Sequence, residues 1–285
     1  MPSLIDIRRR IRSVRNTQQI TKALKMVSAA KLRRAQDRVI ASRPYGAALR
    51  GLLGDVAAAA RSDERVAAHP LLARRPEQRI QFVLITSDTG KAGGFNSNLI
   101  KAATRFAEEH RSAQISYELI GRKGIETYRK RQAPITGQHT GMAKVHYEDA
   151  AAIARTLMER FRNEEIDSVY LLYNEFKSVM TQKVTLAQVL PMELPMQAEP
   201  VDFIFEQPPA EMLASLLPRY VEIELYRALL ESAAAEHAAR MTAMDAATSN
   251  AADMIDRLTL YMNRVRQASI TKEIIEVVSG AAAAE

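Results

Sequence analysis

The sequence predicts an α/β protein in which a long antiparallel coiled coil of N- and C-terminal helices flanks an inserted α/β domain. Two observations predict the coiled coil: both ends of the chain contain few Pro and Gly residues, and both carry apolar residues at helical spacing. A third predicts the inserted domain, because the middle of the chain alternates strand-like with helix-like runs. We expect the coiled coil in residues 1–60 and 209–285 and the α/β domain in residues 77–207.

The N-terminal segment predicts one helix from Ser3 to about Ala60. Ser3 and Asp6 have the spacing of a capping box, and Pro44 is the only proline between Ser3 and Ala60. The apolar stripe starts in one phase and then shifts, which predicts a helix that winds about its partner. Its members are Ile7, Ile11 and Val14 before the shift, and Ile20, Leu24, Val27, Leu32, Ala35 and Val39 after it.

The C-terminal segment follows a 3.5-residue repeat in which thirteen of sixteen positions are apolar. A repeat held over this length predicts a left-handed coiled coil rather than a helix of a globular bundle. Small residues around Ala234 and Ala251 would let a partner helix approach closely, so we expect the two ends of the chain to pair. The repeat positions are Leu213, Leu216, Tyr220, Ile223, Arg227, Leu230, Ala234, His237, Met241, Met244, Thr248, Ala251, Ile255, Leu258, Met262 and Val265.

The segment between the long helices predicts a Rossmann-like sheet, mostly parallel, covered on both faces and ending in an antiparallel edge. Only Lys177 and Ser178 separate two of the strand-like runs, which predicts a hairpin there. The next long helix should begin at Pro208 and Pro209. The strand-like runs are residues 80–87, 115–120, 134–138, 168–176, 179–190 and 201–205. Three helices are expected between them: one that ends near residue 110, one that follows residues 121–124, and one at residues 147–162.

The positive charge of the chain is concentrated near its start. Residues 8–38 contain eleven Lys and Arg residues and one acid, Asp37, so this segment carries +10 while the whole chain carries +7. Such a one-sided segment indicates a polyanionic partner. A nucleic acid would fit the charge, but the first aromatic residue is Tyr45, and no RNA-binding signature is present. An acidic protein collar around the helix explains the charge better.

Composition and motifs argue against chemistry within the chain. There are no cysteines, which excludes disulfides and thiolate sites, and the five histidines show no metal-ligand spacing. No apolar run reaches the roughly 18 residues of a membrane helix, so we expect a soluble chain. The Gly-rich turn at residues 90–94 fits neither the GxGxxG nor the P-loop pattern. We interpret it as a tight turn with Asn96 or Ser97 capping the next helix, and we expect no cofactor, no metal and no catalytic residue.

Three segments of the sequence resemble the gamma subunit family of F-type ATP synthases. The run SLIDIRRRIRSVRNTQQITKALKMVSAAKLRRAQ is similar to the opening helix of that family. ITSDTGKAGGFNSNLIK resembles its first strand and turn, and MTAMDAATSNAADMI with RQASITKEIIEVVSGA resembles its closing helix. The resemblance implies a non-catalytic rotor whose coiled coil enters a ring of alpha and beta subunits and whose α/β domain lies near the epsilon subunit and the membrane c-ring.

The resemblance also implies roles for particular positions. Leu24, Lys25 and Met26 match the part of the shaft that faces an acidic lever loop of the beta subunit, and Arg240 matches the opposing helix there. Other matching positions are Arg266, Gln267 and Thr271 in the segment gripped by a beta catch loop, and Phe205 and Glu206 in the foot on the membrane ring.

The sequence departs from the family at one turn. Where Arg-Gly-Leu-Cys-Gly is common, this chain has Thr-Gly-Lys-Ala-Gly at residues 89–93. The cysteine-bearing insertion of chloroplast versions is missing, which favours a bacterial source. The resemblance implies one copy per complex, no nucleic acid, and a peripheral position on the cytoplasmic face of the inner membrane. The alternative is a free-standing coiled-coil protein that binds nucleic acid or acts as a scaffold.

Overall fold

The computed structural model describes residues 3–60, 63–141, 145–194 and 207–282. It divides into two compact units, one of Met1–Ser28 with Met241–Glu285 and the other of Ala29–Arg240. The helices are α1 (Leu4–Ala59), α2 (Glu64–Ala67), α3 (Phe95–Glu109), α4 (Arg122–Lys130), α5 (Tyr147–Arg162) and α6 (Pro209–Ala282), with a short 3-10 helix at Pro70–Leu72. The strands are β1 (Arg79–Ile85), β2 (Gln114–Ile120), β3 (Ile135–His139), β4 (Ser168–Phe176) and β5 (Gln182–Leu190).

The five strands form one sheet in the order β3-β2-β1-β4-β5. β1 pairs in parallel with β2 and with β4, and β2 pairs in parallel with β3. β5 pairs antiparallel with β4. The α/β fold with a mostly parallel sheet and an antiparallel edge is therefore confirmed, because helical crossovers join the parallel strands whereas a short turn joins β4 to β5.

Helices cover both faces of this sheet. Phe82 of β1 points to one face, where its ring lies 4.7 Å from that of Phe106 on α3. The neighbouring Gln81 points to the other face, where its side-chain oxygen accepts a hydrogen bond of 2.6 Å from Arg160 of α5. Six of the seven β1 residues are buried, as expected of a central strand covered on both sides.

The predicted shift of phase in α1 is wrong. The buried residues of α1 keep one spacing of three and four throughout, with Thr21 and Ser28 at the positions between Ile11 and Leu32. Ile20 and Val27, which were placed in the stripe, are 57% and 52% exposed. The repeat tolerates the two polar residues because their hydroxyls have local partners: Thr21 bonds the Gln18 carbonyl at 3.0 Å, and Ser28 bonds the Leu24 carbonyl at 2.7 Å.

α1 and α6 run antiparallel in each unit. In the first unit Thr21 contacts Thr248, with 2.7 Å between the hydroxyl oxygens, and Lys25 contacts Asp245. The order of the contacts reverses between the helices, which defines the direction. In the second unit Arg50 pairs with Glu224 at 2.9 Å.

The heptad positions of α6 predicted from sequence are confirmed in the first unit. Met244, Thr248, Ala251 and Ile255 are buried or half-buried, while their neighbours on the other side of the helix are exposed. In the second unit α6 buries a further stripe that the heptad did not predict. Its members are Leu217, Val221, Leu225, Ala228 and Ser232.

A buried acid next to this second stripe contacts the α/β domain. The buried carboxylate of Glu222 accepts a hydrogen bond of 2.9 Å from Arg155 of α5 and another from the Tyr147 hydroxyl. α6 is therefore a layer of the domain as well as a partner of α1.

Two local predictions are corrected. α3 begins after Gly94, and neither Asn96 nor Ser97 caps it; the Asn96 side chain instead bonds the Ser87 backbone N–H at 3.0 Å. β5 begins at Gln182 rather than at 179, because residues 177–181 form the turn of the hairpin. The strand predicted at 201–205 lies outside the described residues.

Gly121 joins β2 to α4, and its replacement is expected to disrupt this junction. Its φ is +96°, and a Cβ atom there would lie 2.1 Å from the Thr86 carbonyl oxygen. Gly121→Ala should lower the free energy of unfolding by about 3 kcal/mol or more. The control is Gly51→Ala in α1, where no atom lies within 4 Å, and which should raise it by about 0.5–1 kcal/mol. Urea denaturation of the purified chain measures both, and equal effects would contradict the assignment.

Candidate partner-binding surfaces

The basic segment of α1 lies on the surface. Ten of its eleven Lys and Arg residues are exposed, and Lys25 is half-buried. Within the part of the chain that the structure describes, Lys25 is the one member that forms an ion pair, 2.5 Å from Asp245. The remaining cations therefore offer a field for an anionic partner.

Apolar side chains interrupt this basic surface near residue 24. Met26 is 63% exposed, and Ile20 and Val27 are exposed beside it, while Leu24 is half-buried. A surface helix normally hides such residues, so their exposure indicates a contact with another molecule. Leu24 and Lys25 are half-buried, and Met26 points away from Leu24 into solvent, so the three residues do not share one face of α1. Their contact with a beta subunit stays a prediction.

Arg240 has a different environment. Its guanidinium donates hydrogen bonds to the Thr89 hydroxyl at 2.7 Å and, over 3.3–3.4 Å, to the carbonyls of Thr89 and Gly90. It also pairs with Glu236 at 2.6 Å, and the Arg240 side chain is only 11% exposed. Arg240 therefore fastens α6 to the turn after β1 within the second unit. Its contact with a beta subunit stays a prediction.

Burial around Arg240 controls the protonation of its neighbours. Desolvation raises the pKa of Glu236, against the opposing effect of Arg240. Desolvation, together with the positive charges of Arg240 and Lys31, lowers the pKa of His237 to about 4. His237 is therefore neutral at pH 7, which keeps a third positive charge out of this cluster.

Residues 270–279 of α6 are all exposed. Arg266, Gln267 and Thr271 are also exposed. Large apolar residues share this exposure and lie on one broad face, which is unusual, because the apolar face of a helix is normally covered. These residues are Ile270, Ile274, Ile275, Val277 and Val278, exposed by 48–73%.

The two residues expected to contact the membrane ring, Phe205 and Glu206, lie outside the described residues. In the described part of the chain, no cluster of His, Asp and Glu is arranged to hold a metal ion. Over the same residues, no helix combines the length and the apolar character needed to cross a bilayer.

A helix pair with unpaired cations and exposed apolar side chains is typical of a subunit that docks within a larger assembly. The chain matches the ATP synthase family model over residues 3–284. It is 73% identical, over 100% of both chains, to an ATP synthase gamma chain of Solibacter usitatus. It is 52% identical to one of Anaeromyxobacter sp., with 99% of each chain covered. The chain belongs to the ATP synthase gamma-chain family.

Solved structures agree with this family and fold. The central stalk and c-ring structure of Tetrahymena thermophila mitochondrial ATP synthase contains a chain with 26% identity and a TM-score of 0.61, covering 80% of this chain and 99% of that one. A chain of Euglena gracilis mitochondrial ATP synthase shares the fold with a TM-score of 0.65 at 17% identity, over 98% of this chain and 94% of that one.

Sequence reasoning missed two features of these surfaces. It did not place Thr21 and Ser28 in the buried stripe, although their spacing from Ile11 and Leu32 could have indicated it. It also missed the contact between Arg240 and the turn after β1. No signal in the sequence reveals that contact, because 150 residues separate Arg240 from Gly90.

The low pKa of His237 predicts a loss of stability in acid. The unfolded chain binds a proton at this residue near pH 6.5, whereas the folded chain does so only near pH 4. The contribution of neutral His237 is therefore complete above pH 6.5 and is lost as the pH falls towards 4. We expect wild type to lose about 2 kcal/mol more unfolding free energy between pH 7 and 4.5 than His237→Gln does.

Denaturation curves of both chains at each pH measure this difference. Glu236 is present in both chains, so its opposite pH dependence cancels in the comparison. Equal losses of unfolding free energy in wild type and in His237→Gln would contradict the assignment of the acid sensitivity to His237.

Proposed function

We propose that the chain is the non-catalytic central-stalk rotor of its ATP synthase, and that it transmits torque between a proton-driven membrane ring and the catalytic alpha/beta hexamer. The observation that carries this proposal is the wide apolar face that α6 exposes beyond Arg266. An exposed apolar face of this size is typical of a surface that another chain covers. A bearing formed by surrounding subunits would provide that cover.

The helix pair supplies the asymmetry that a rotor needs. One part of its surface carries Lys25 with Asp245, and another carries the apolar Ile20, Met26 and Val27. Chemically identical beta subunits around the pair would each meet a different surface. A shaft can shift each subunit between conformations only through such unequal contacts. Each proton that crosses the membrane supplies about 2.3 kcal/mol per 100 mV. The energy of several protons must therefore be pooled in the rotation of the shaft to release one tightly held ATP.

The partners follow from the same proposal. The alpha and beta subunits enclose the shaft, and the α/β domain meets the epsilon subunit and the c-ring, with one copy of this chain per complex. Support comes from the central stalk and c-ring structure that resembles this chain and from relatives in bacteria. The complex would hold the chain on the cytoplasmic face of the inner membrane as a peripheral protein. We propose residues 1–60 and 209–285 as the shaft and 77–207 as the foot.

Individual contacts on the shaft are also part of the proposal. Leu24, Lys25 and Met26 would face an acidic lever loop of beta, which fits the exposure of Met26 and the exposed cations on both sides of it along α1. A second set would be gripped by a beta catch loop, which fits its exposure on α6. Its members are Arg266, Gln267 and Thr271.

The purified chain should neither bind ATP specifically nor hydrolyse it. The motifs that hold phosphates are absent from the sequence, and the glycine spacing of the turn at residues 90–94 does not match a phosphate-binding loop. Calorimetric titration with ATP should show no heat of specific binding. Micromolar affinity would overturn this part of the proposal.

Leu24→Lys should impair coupling while the complex still assembles and hydrolyses ATP. An added cation beside acidic beta residues would stabilise one rotational position, and about 1.4 kcal/mol already changes a population tenfold. ATPase activity and proton pumping are compared in membrane vesicles. We expect the pumping per ATP hydrolysed to fall several-fold. The matched control is Ala47→Lys, which adds the same charge to an exposed position of α1 in the other unit and should leave coupling unchanged.

A charge swap at Lys25 separates the partner contact from the contact within the chain. Lys25→Glu faces Asp245 and loses the ion pair, whereas the double variant with Asp245→Lys restores the pair in reverse. Exposed pairs contribute about 0–1 kcal/mol, so folding should survive both changes. If the lever contact exists, coupling stays impaired in the double variant. Normal coupling in Leu24→Lys and in both Lys25 variants would contradict the placement of the lever.

A further inference from the structure

An open groove of about 1010 Å³ lies between the edge strand β3 and helix α5. It is on the α5 face of the sheet, within the second unit. Residues from β2, β3 and α5 line it, among them Glu118, Thr136, Gly137, His139, Asp149 and Arg160. None of the functional positions discussed above contributes to this groove.

The backbone of β3 directs a buried carboxylate into the groove. The register with β2 shifts at Thr136, so that Ile135 pairs with Tyr117 but Gly137 pairs with Glu118. The absence of a side chain at Gly137 then leaves room for Glu118, since a Cβ atom there would lie 1.8 Å from Oε1 of Glu118. A bulge and a glycine together thus allow a carboxylate from an inner strand to reach across the edge strand.

Glu118 is held firmly and retains acceptor capacity. Its side chain is 8% exposed, and its Oε1 lies 2.6 Å from Nε2 of His139. The Thr136 hydroxyl donates to Oε2 at 3.3 Å. A carboxylate accepts up to about four hydrogen bonds, so these two contacts leave acceptor capacity on both oxygens.

The charge of the groove is negative. Glu118 and the exposed Asp149 contribute two carboxylates. The guanidinium of Arg160 also lines the groove but pairs with a third carboxylate, that of Glu165, at 3.2 Å, so the carboxylates outnumber this cation. This contrasts with the basic surface of α1 and favours a cationic group as occupant.

The outer edge of β3 can pair with another strand. β3 is the last strand in the sheet order and pairs with β2 alone among the described strands. An edge strand presents unpaired N–H and C=O groups that an extended peptide can use. Backbone pairing at the edge and a carboxylate beneath it offer complementary recognition elements.

We propose that β3 and this groove form a docking site for an extended segment of another protein, which adds as a strand to β3 and directs a Lys or Arg side chain to Glu118 and Asp149. The segment gains affinity from main-chain hydrogen bonds and selectivity from the cationic side chain. This site differs from the shaft contacts, and its occupation does not depend on torque transmission.

The test uses the assembled ATP synthase purified with a photoreactive amino acid at Thr140, a residue that lines the groove. Irradiation and mass spectrometry should identify one segment of another subunit, with a Lys or Arg near the crosslink. Cross-links confined to this chain, or to a segment without a cation, would overturn the proposal. So would the absence of any cross-link.

Charge reversal on α5 provides the matched pair of variants. Glu148 and Asp149 both lie exposed in the first turn of α5, but only Asp149 lines the groove. Asp149→Lys and Glu148→Lys change the helix terminus equally. Asp149→Lys should reduce the cross-link yield about tenfold or more, while Glu148→Lys changes it less than about twofold. Equal yields in the two variants would refute the role of the groove charge.

Hydrogen exchange supplies a measurement that needs no substitution. Amides of β3 should exchange about tenfold more slowly in the assembled complex than in the isolated chain, because the added strand protects them. Unchanged exchange across β3 would refute the strand addition even if a cross-link formed. Neither result bears on coupling, so this proposal and the rotor proposal fail separately.

Discussion

The antiparallel pairing of α1 with α6 is the constraint on which the other surfaces depend. A repeat of buried and half-buried positions at alternate spacings of three and four runs along α1 and forms the seam between the two helices, while most other positions are exposed. The cations at residues 8–38 and the apolar Ile20 and Val27 therefore stay on the outside. Had the seam shifted to include Ile20 and Val27, these residues would be hidden and the exposed patch around Met26 would lose its apolar neighbours.

Two polar residues hold this seam in place rather than weaken it. The hydroxyls of Thr21 and Thr248 meet across the pair, and that of Ser28 bonds its own helix. Polar groups inside a coiled coil favour one register, because another register leaves them without partners. The register in turn determines which residues face outward, so a modest local contact influences the whole partner-binding surface.

The second unit joins the helix pair to a sheet through different chemistry. Arg240 reaches the turn after β1, and the buried Glu222 binds Tyr147 and Arg155 of α5. These charge-assisted contacts have defined directions, unlike the apolar packing of the seam. They explain why α6 is buried over a broader face in this unit. The same unit carries the groove beside β3, where a bulge and Gly137 leave space for the buried carboxylate of Glu118.

The sequence by itself determined the long helices, a mostly parallel sheet with an antiparallel edge, and the protein family. Periodicity and turn residues are local signals, so the helix at Tyr147–Arg162 and the strand at Ser168–Phe176 were predicted with the bounds that the structure shows. The motifs at both ends indicated the gamma-chain family for the same reason.

Only the tertiary structure decided the register of α1, the cap of α3 and the position of Arg240. Each of these depends on which distant groups meet: Thr21 with Thr248, and Arg240 with Thr89. A hydrogen bond between residues far apart in the chain leaves no periodic trace in the sequence, because its energy depends on the folded geometry. The placement of Glu118 beneath β3 is of the same kind, since it requires both a shifted register and the space at Gly137.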